Sequence, residues 1–142
     1  KDITLNQAPV YLENFWKEKL GISGIVFKDG CGLSRMNLSS PSSFNKLLNY
    51  QLNHSSVKEA FFNSLPVSGK SGTLKYIGDN TVLDGKFIGK SGSMGGVRCY
   101  SGCFMKNSKY FPFTIMINNF TSNDYLIKSK IESLMIDIYR NI

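Results

Sequence analysis

The sequence predicts an α+β domain, an antiparallel sheet of three consecutive strands with helices before it and one helix after it. Three observations carry that expectation. Residues Asp84–Phe104 start at an Asp-Gly turn, run out through Lys86–Ile88 and return through Val97–Phe104 after Gly95-Gly96, as a hairpin does. A turn at Lys106–Lys109 then leads into a third run, Tyr110–Asn118, with Pro112 pointing to an edge position. Helical periodicity occupies both flanks, and the last helix is expected to lie on the sheet.

The elements follow in order. Pro9–Leu20 reads as a helix with Leu12, Phe15, Trp16 and Leu20 on one buried face and Gly21 as its stop. Gly21–Phe27 is short and apolar, and Lys28–Asn37 is a polar cluster behind two glycines. Ser40-Pro41 supplies a cap and a first-turn proline for a second helix bearing Phe44, Leu47, Leu48 and Leu52. Ser56 and Glu59 have capping-box spacing and predict a third helix with Ala60, Phe61 and Phe62, broken by Pro66. Ser64–Leu74 is a glycine-rich loop, and Tyr76–Thr81 is expected at the surface. Thr121 and Asp124 are the expected cap of a last helix that reaches Arg140, with Ile127, Ile131, Leu134, Met135 and Ile138 as its buried stripe.

Composition narrows the class. With 142 residues, 42% of them apolar, the chain is read as one domain, 1–142, able to build a core. No run approaches the roughly 20 apolar residues of a membrane span. It opens on Lys1 rather than Met, as expected of a processed or excised chain, and no signal peptide is visible. The net charge of +7 raises nucleic acid as a partner, but only three of the 17 cations are Arg (Arg35, Arg98 and Arg140) and they are scattered, so no nucleic acid is expected. Cys31, Cys99 and Cys103 have no metal-like spacing. Cys99 and Cys103 lie about 13 Å apart along one strand, too far for a disulfide, and read as small core residues. No cofactor or metal is expected. The single histidine, His54, has no acid or second histidine near it in sequence.

Lys90-Ser91-Gly92-Ser93, beside a strand end, combines an ammonium, hydroxyls and a glycine, the elements of a site for an anion that must approach backbone closely. Three segments together carry more than this one alone. Lys28–Pro41 (KDGCGLSRMNLSSP) resembles a D-G-S-G-L-S-R-x-N segment, Ser64–Leu74 (SLPVSGKSGTL) an S-L-P-x-x-G-x-x-G-T-L loop, and Asp84–Phe104 a D-G-K-x-x-x-K-T-G-S-x-x-G-V segment. All three belong, in this order, to the class C low-molecular-mass penicillin-binding proteins, which are serine D-alanyl-D-alanine carboxypeptidases and endopeptidases. The resemblance implies the C-terminal portion of a β-lactamase/transpeptidase-like domain. It also implies peptidoglycan stem peptides ending in D-Ala-D-Ala and β-lactams as partners, and a place in the bacterial periplasm or cell envelope.

Residue roles are implied by the same resemblance. Lys90 matches the lysine of the K-T-G strand, whose charge helps hold the substrate's terminal carboxylate. Ser91, where Thr is usual, keeps the hydroxyl, and Gly92 leaves room along the strand. Ser93 matches the position whose N–H forms half of an oxyanion hole. Ser34 matches the serine that relays a proton toward the leaving amine. Asn37 would hold the substrate's amide, although the general motif is S-x-N and Asn37 stands three residues after Ser34. Cys31 replaces a usual Ser, read as a packing change.

The family's nucleophile, in an S-x-x-K motif upstream of these segments, has no counterpart in order. Ser55-Ser56-Val57-Lys58 has the spacing but follows the middle motif. The expectation is therefore a fragment of a serine carboxypeptidase or endopeptidase that is inactive alone. The alternative is a non-catalytic module that binds wall peptides. A sheet lacking its other strands is expected to leave an open edge or apolar surface and to favour self-association.

Overall fold

The computed structural model describes residues 4–142. Four helices, α1 (Ala8–Leu20), α2 (Pro41–Asn53), α3 (Lys58–Asn63) and α4 (Asp124–Asn141), surround a sheet of β1 (Phe87–Met94), β2 (Val97–Lys106) and β3 (Lys109–Asn118). The strands are antiparallel in the order β1-β2-β3, as the sequence predicts.

The sheet divides the core into two layers, because successive side chains point to opposite faces. Phe87, Tyr100 and Phe104 meet Ile131 and Met135 of α4, with Leu74, Ile77 and Leu83 beside them. On the other face Ile88 and Cys103 meet Leu48 of α2 and Phe62 of α3. Along α4, Ile131 and Met135 are buried as expected, whereas Leu134 is exposed because it points away from the sheet. The cap of α4 is Asn123, whose Oδ1 accepts from Tyr125 N at 2.8 Å. Thr121 and Asp124 do not serve as the cap; Asp124 instead pairs with Arg98 across the start of the helix.

The helices before the sheet depart from expectation in two ways. Helix α1 ends as predicted at Gly21, in the left-handed region with φ +60°, its N–H bonded to Lys17 O at 2.9 Å. Its apolar face is not buried, however. Leu12 and Phe15 are exposed and Trp16 is half-buried, because α1 rests on α2 and not on the sheet, with Trp16 set edge-on to Tyr50 at 6.0 Å. Helix α2 starts as expected, Ser40 Oγ accepting from Ser43 N at 3.2 Å with Pro41 in the first turn. Helix α3 has no capping box; Val57 occupies the cap without a side-chain bond, and Ser55 Oγ accepts from Val57 N at 3.3 Å in the preceding turn.

Between α3 and the sheet the chain folds around Ser68, which is fully buried. Its hydroxyl donates to Leu83 O at 2.6 Å and accepts from Phe87 N at 3.0 Å, fixing the start of β1. Tyr76–Thr81 is not all surface. Ile77 belongs to the core, and Gly78 N donates to Glu132 Oε1 of α4 at 2.6 Å.

The sheet's ladder explains what local reading misses. Strand β1 does not stop at Ile88 but continues through Lys90–Ser93, each residue in register with β2: Lys90 opposite Ser101, Ser91 opposite Tyr100, Gly92 opposite Cys99, Ser93 opposite Arg98. Small polar residues read as a loop, yet a full-length partner strand overrides their weak β-propensity. Gly89 faces Gly102 across the pair; a Cβ on Gly89 would lie 2.5 Å from Ser101 O, and one on Gly102 would collide with Ile88 O. At the β2–β3 turn Asn107 and Ser108 both have positive φ, 52° and 60°, the two-residue turn whose twist suits a hairpin.

Candidate active site

Strand β1 has two edges, and its outer one changes character along its length. From Phe87 to Gly89 it is occupied: Ser68 N donates to Phe87 O at 2.8 Å and Gly89 N to Pro66 O at 3.0 Å. Those bonds show that odd-numbered residues of β1 turn their backbone groups outward, while alternate residues bond to β2. Ser91 and Ser93 therefore turn N–H and C=O outward beyond the point where the 66–68 segment leaves the strand. Among the described residues neither has a backbone partner on that side. The Lys90 ammonium donates to Ser91 O at 2.7 Å, so a positive charge lies over this open edge. Lys90 is itself exposed, and Gly92 has only Cys99 Cβ, at 3.7 Å, near where its own Cβ would be.

Ser34 and Asn37 sit in the 28–37 loop, which one carboxylate organises. Asp29 Oδ1 accepts from Gly32 N at 2.8 Å and from Asn37 Nδ2 at 2.9 Å, and Oδ2 accepts from Ser34 N at 2.6 Å. The Asn37 bond, aided by the Gly32 and Ser34 amides and the Cys31 side chain, holds the Asp29 carboxyl below its ordinary range, against a smaller effect of burial. Asn37 Oδ1 accepts from Lys28 N at 2.7 Å, and Val26 pairs with Leu38 in a short antiparallel bridge at the base. Asn37 thus gives one amide hydrogen to the loop and keeps another. Ser34 Oγ accepts from Met36 N at 3.2 Å and retains its own proton for donation. Leu33 and Met36 on either side of Ser34 and Arg35 are exposed.

The structure thus gathers Lys90, Ser91, Gly92 and Ser93 along one strand and Ser34 with Asn37 in one loop. Arg35, next to Ser34, reaches the β1–β2 hairpin tip, its Nη2 3.4 Å from the place a Cβ on Gly95 would take. Ser34 and Lys90 each bond within their own segment and are not hydrogen-bonded to each other. Sequence reasoning missed three contributors. Asp29 carried a signal, since Asp ahead of a glycine turn often binds backbone N–H groups. Arg35 against Gly95 carried none, being a long-range contact. Arg98, opposite Ser93 and paired with Asp124, was visible only as one of three arginines.

All three cysteines are free. Cys103 is buried, its thiol pushed up to about 12 by desolvation; half-buried Cys99, opposite Gly92, is raised for the same reason. Cys31 is exposed, so the expected packing role for it is wrong: the 28–37 loop turns it outward. Among the described residues no cluster of His, Cys, Asp or Glu could hold a metal, and no helix is long and apolar enough to cross a membrane.

The family model for D-Ala-D-Ala carboxypeptidase 3 (S13) matches residues 7–141. The chain is 28% identical over 130 residues to the D-alanyl-D-alanine carboxypeptidase DacB of Haemophilus influenzae, covering 89% of this chain and 26% of that protein. It is 31% identical over 115 residues to the penicillin-sensitive carboxypeptidase A of Dictyostelium discoideum, covering 76% and 22% respectively. The chain therefore spans about a quarter of the length of these relatives. In fold it superposes on penicillin binding protein 4 (dacB) of H. influenzae, solved with a β-lactam, with a TM-score of 0.81 and 22% identity, over 96% of this chain and 34% of that one.

Proposed function

The chain belongs to the D-Ala-D-Ala carboxypeptidase 3 (S13) family, and from that premise we propose that it forms the substrate-binding part of a serine-type D-Ala-D-Ala carboxypeptidase or endopeptidase. The substrate is the terminus of a peptidoglycan stem peptide, met outside the cytoplasm, and β-lactams occupy the same groove. One observation supports the reading above others: the unpaired outer edge of β1 at Ser91 and Ser93, under the Lys90 ammonium. An extended peptide laid there gains strand-type hydrogen bonds from the backbone and an opposite charge for its terminal carboxylate.

In this reading Lys90 and the Ser91 hydroxyl hold the carboxylate, and Gly92 lets the peptide approach. The outward Ser93 N–H donates to the oxygen on which charge develops. Ser34, whose hydroxyl still has a proton to give, passes it to the departing amine. Asn37 offers its remaining amide hydrogen to the substrate and steadies the loop through Asp29. The seryl nucleophile and its lysine are supplied by a part of the enzyme outside these 142 residues.

Titrating the isotope-labelled chain with N-acetyl-Lys-D-Ala-D-Ala tests the assignment. The expected result is saturable shifts of the Lys90–Met94 amides, lost in Lys90→Ala and absent with the L-Ala-L-Ala isomer. Shifts confined to another part of the sheet, or equal in Lys90→Ala, would reject it.

A further inference from the structure

The far end of the sheet carries a concavity away from Lys90–Ser93. Gly85, Lys86, Met105, Lys106, Asn107, Ser108, Lys109 and Tyr110 line a concavity of about 300 Å³. It lies at the β2–β3 turn, whereas Lys90–Ser93 run toward the β1–β2 turn. Lysines dominate its rim, and their placement is unfavourable in isolation. Lys106 and Lys109 face each other directly in the ladder, and like charges opposite one another destabilise a sheet. Lys86 adjoins them, its carbonyl accepting from Met105 N at 2.8 Å.

One of the three charges is answered within the fold. Lys106 Nζ donates to Tyr139 O at 2.9 Å and Arg140 O at 3.3 Å, at the negative end of α4, and lies 5.1 Å over the Tyr139 ring. Lys86 and Lys109 are exposed and have no acidic partner among the described residues. The nearest acids by chain position are engaged, Asp84 with Lys70 and Asp124 with Arg98. Lys58 adds a further cation from α3, 5.9 Å over the Tyr110 ring. The turn contributes the Ser108 hydroxyl and the Asn107 amide as neutral donors.

We propose that this concavity binds a small anionic group, a carboxylate or a phosphate. Two ammonium groups without partners, a third held by carbonyls, and neutral donors in one hollow favour a ligand carrying more than one negative charge.

The test follows the backbone amides of Asn107, Ser108 and Lys109 by NMR as inorganic phosphate or tricarballylate is added, with sodium chloride at matched ionic strength as control. Saturable shifts with either anion, weakened about tenfold in Lys86→Gln/Lys109→Gln and unchanged in Lys130→Gln on α4, are expected. Saturation by phosphate alone assigns a phosphate-bearing ligand, and saturation by tricarballylate alone assigns a polycarboxylate. Linear shifts that chloride reproduces, or equal binding by the double variant with its thermal midpoint intact, would overturn the site. Because the readout sits away from Lys90–Met94, its failure leaves the groove at β1 untouched.

Discussion

The two halves of the candidate site are held in place by opposite means. Lys90–Ser93 are positioned by backbone, residue by residue, through the ladder with β2. Ser34 and Asn37 are positioned by side chain, through the one carboxylate of Asp29 and a short bridge at Val26 and Leu38. A strand edge tolerates changes in its side chains so long as the pairing survives. A loop hung on one acid fails when that acid changes, without dragging the sheet with it. In the proposed function the oxyanion donor falls in the half fixed by backbone pairing, and the proton relay in the half fixed by one side chain.

The largest effect should come from breaking the rigid half. Gly89 and Gly102 oppose each other, and a Cβ on Gly102 would meet Ile88 O and lie 2.5 Å from the Gly89 Cα. Both obstacles are backbone, which cannot swing aside. Gly102→Ala is expected to cost at least about 3 kcal/mol, the upper end for overpacking, and to disturb the β1 amides throughout. A denaturant melt within about 0.5 kcal/mol of the parent chain would show that β1 is not held as described.

Breaking the other half should look different. Asp29→Ala removes the acceptor for Gly32 N, Ser34 N and Asn37 Nδ2. The expected result is collapse of the loop's amide protection with the sheet's dispersion and melting midpoint nearly unchanged. Acid should do the same to the unaltered chain. The Asp29 carboxyl is held below its ordinary range in the fold, so its contribution is complete above that range and is lost as pH falls through the lowered folded pKa. Following the Gly32 and Ser34 amides against pH checks the direction; loss of the loop on raising pH would contradict it.

How far the sequence reached follows the same division. The β2–β3 hairpin was legible because Asn107 and Ser108 suit positive φ, and Pro112 marked β3 as an edge strand, where the sheet order puts it. The start of α2 was legible because Ser40 and Pro41 are local signals. What escaped depends on distant partners. The extension of β1 through Lys90–Ser93 needs β2, the burial of Ile77 needs α4, and the exposure of Leu12 and Phe15 reflects what α1 lacks to cover it. Periodicity states which face would prefer burial; it does not supply the surface. Within the site, residue types and motif order were readable, Asp29 carried only the signal of an acid ahead of a glycine turn, and the approach of Arg35 to Gly95 carried none.

The smallest expected effect is none at all, and it concerns covalent chemistry. A fluorescent penicillin should leave this chain unlabelled under denaturing conditions. Acylation needs a serine with its own base. In the rigid half, Ser91 and Ser93 have Lys90 for a neighbour, but its ammonium is engaged with Ser91 O and serves as a charge. In the adjustable half, Ser34 is bonded to Met36 N and has no lysine at the required spacing. Ser43 and Ser55 have that spacing, yet Ser43 Oγ is bonded to Ser40 Oγ at 2.8 Å while the Lys46 ammonium donates to Gly21 O at 3.2 Å. The Lys58 ammonium lies 5.9 Å over the Tyr110 ring, and Ser55 Oγ accepts from Val57 N in the turn before α3. An oxyanion donor and a carboxylate site without a nucleophile can bind but cannot form the ester. A longer chain that includes an S-x-x-K helix should label stoichiometrically. Label on Ser55 of the 142-residue chain, removed by Ser55→Ala, would move the reacting centre to α3 and end the assignment of β1 as the edge that faces the nucleophile.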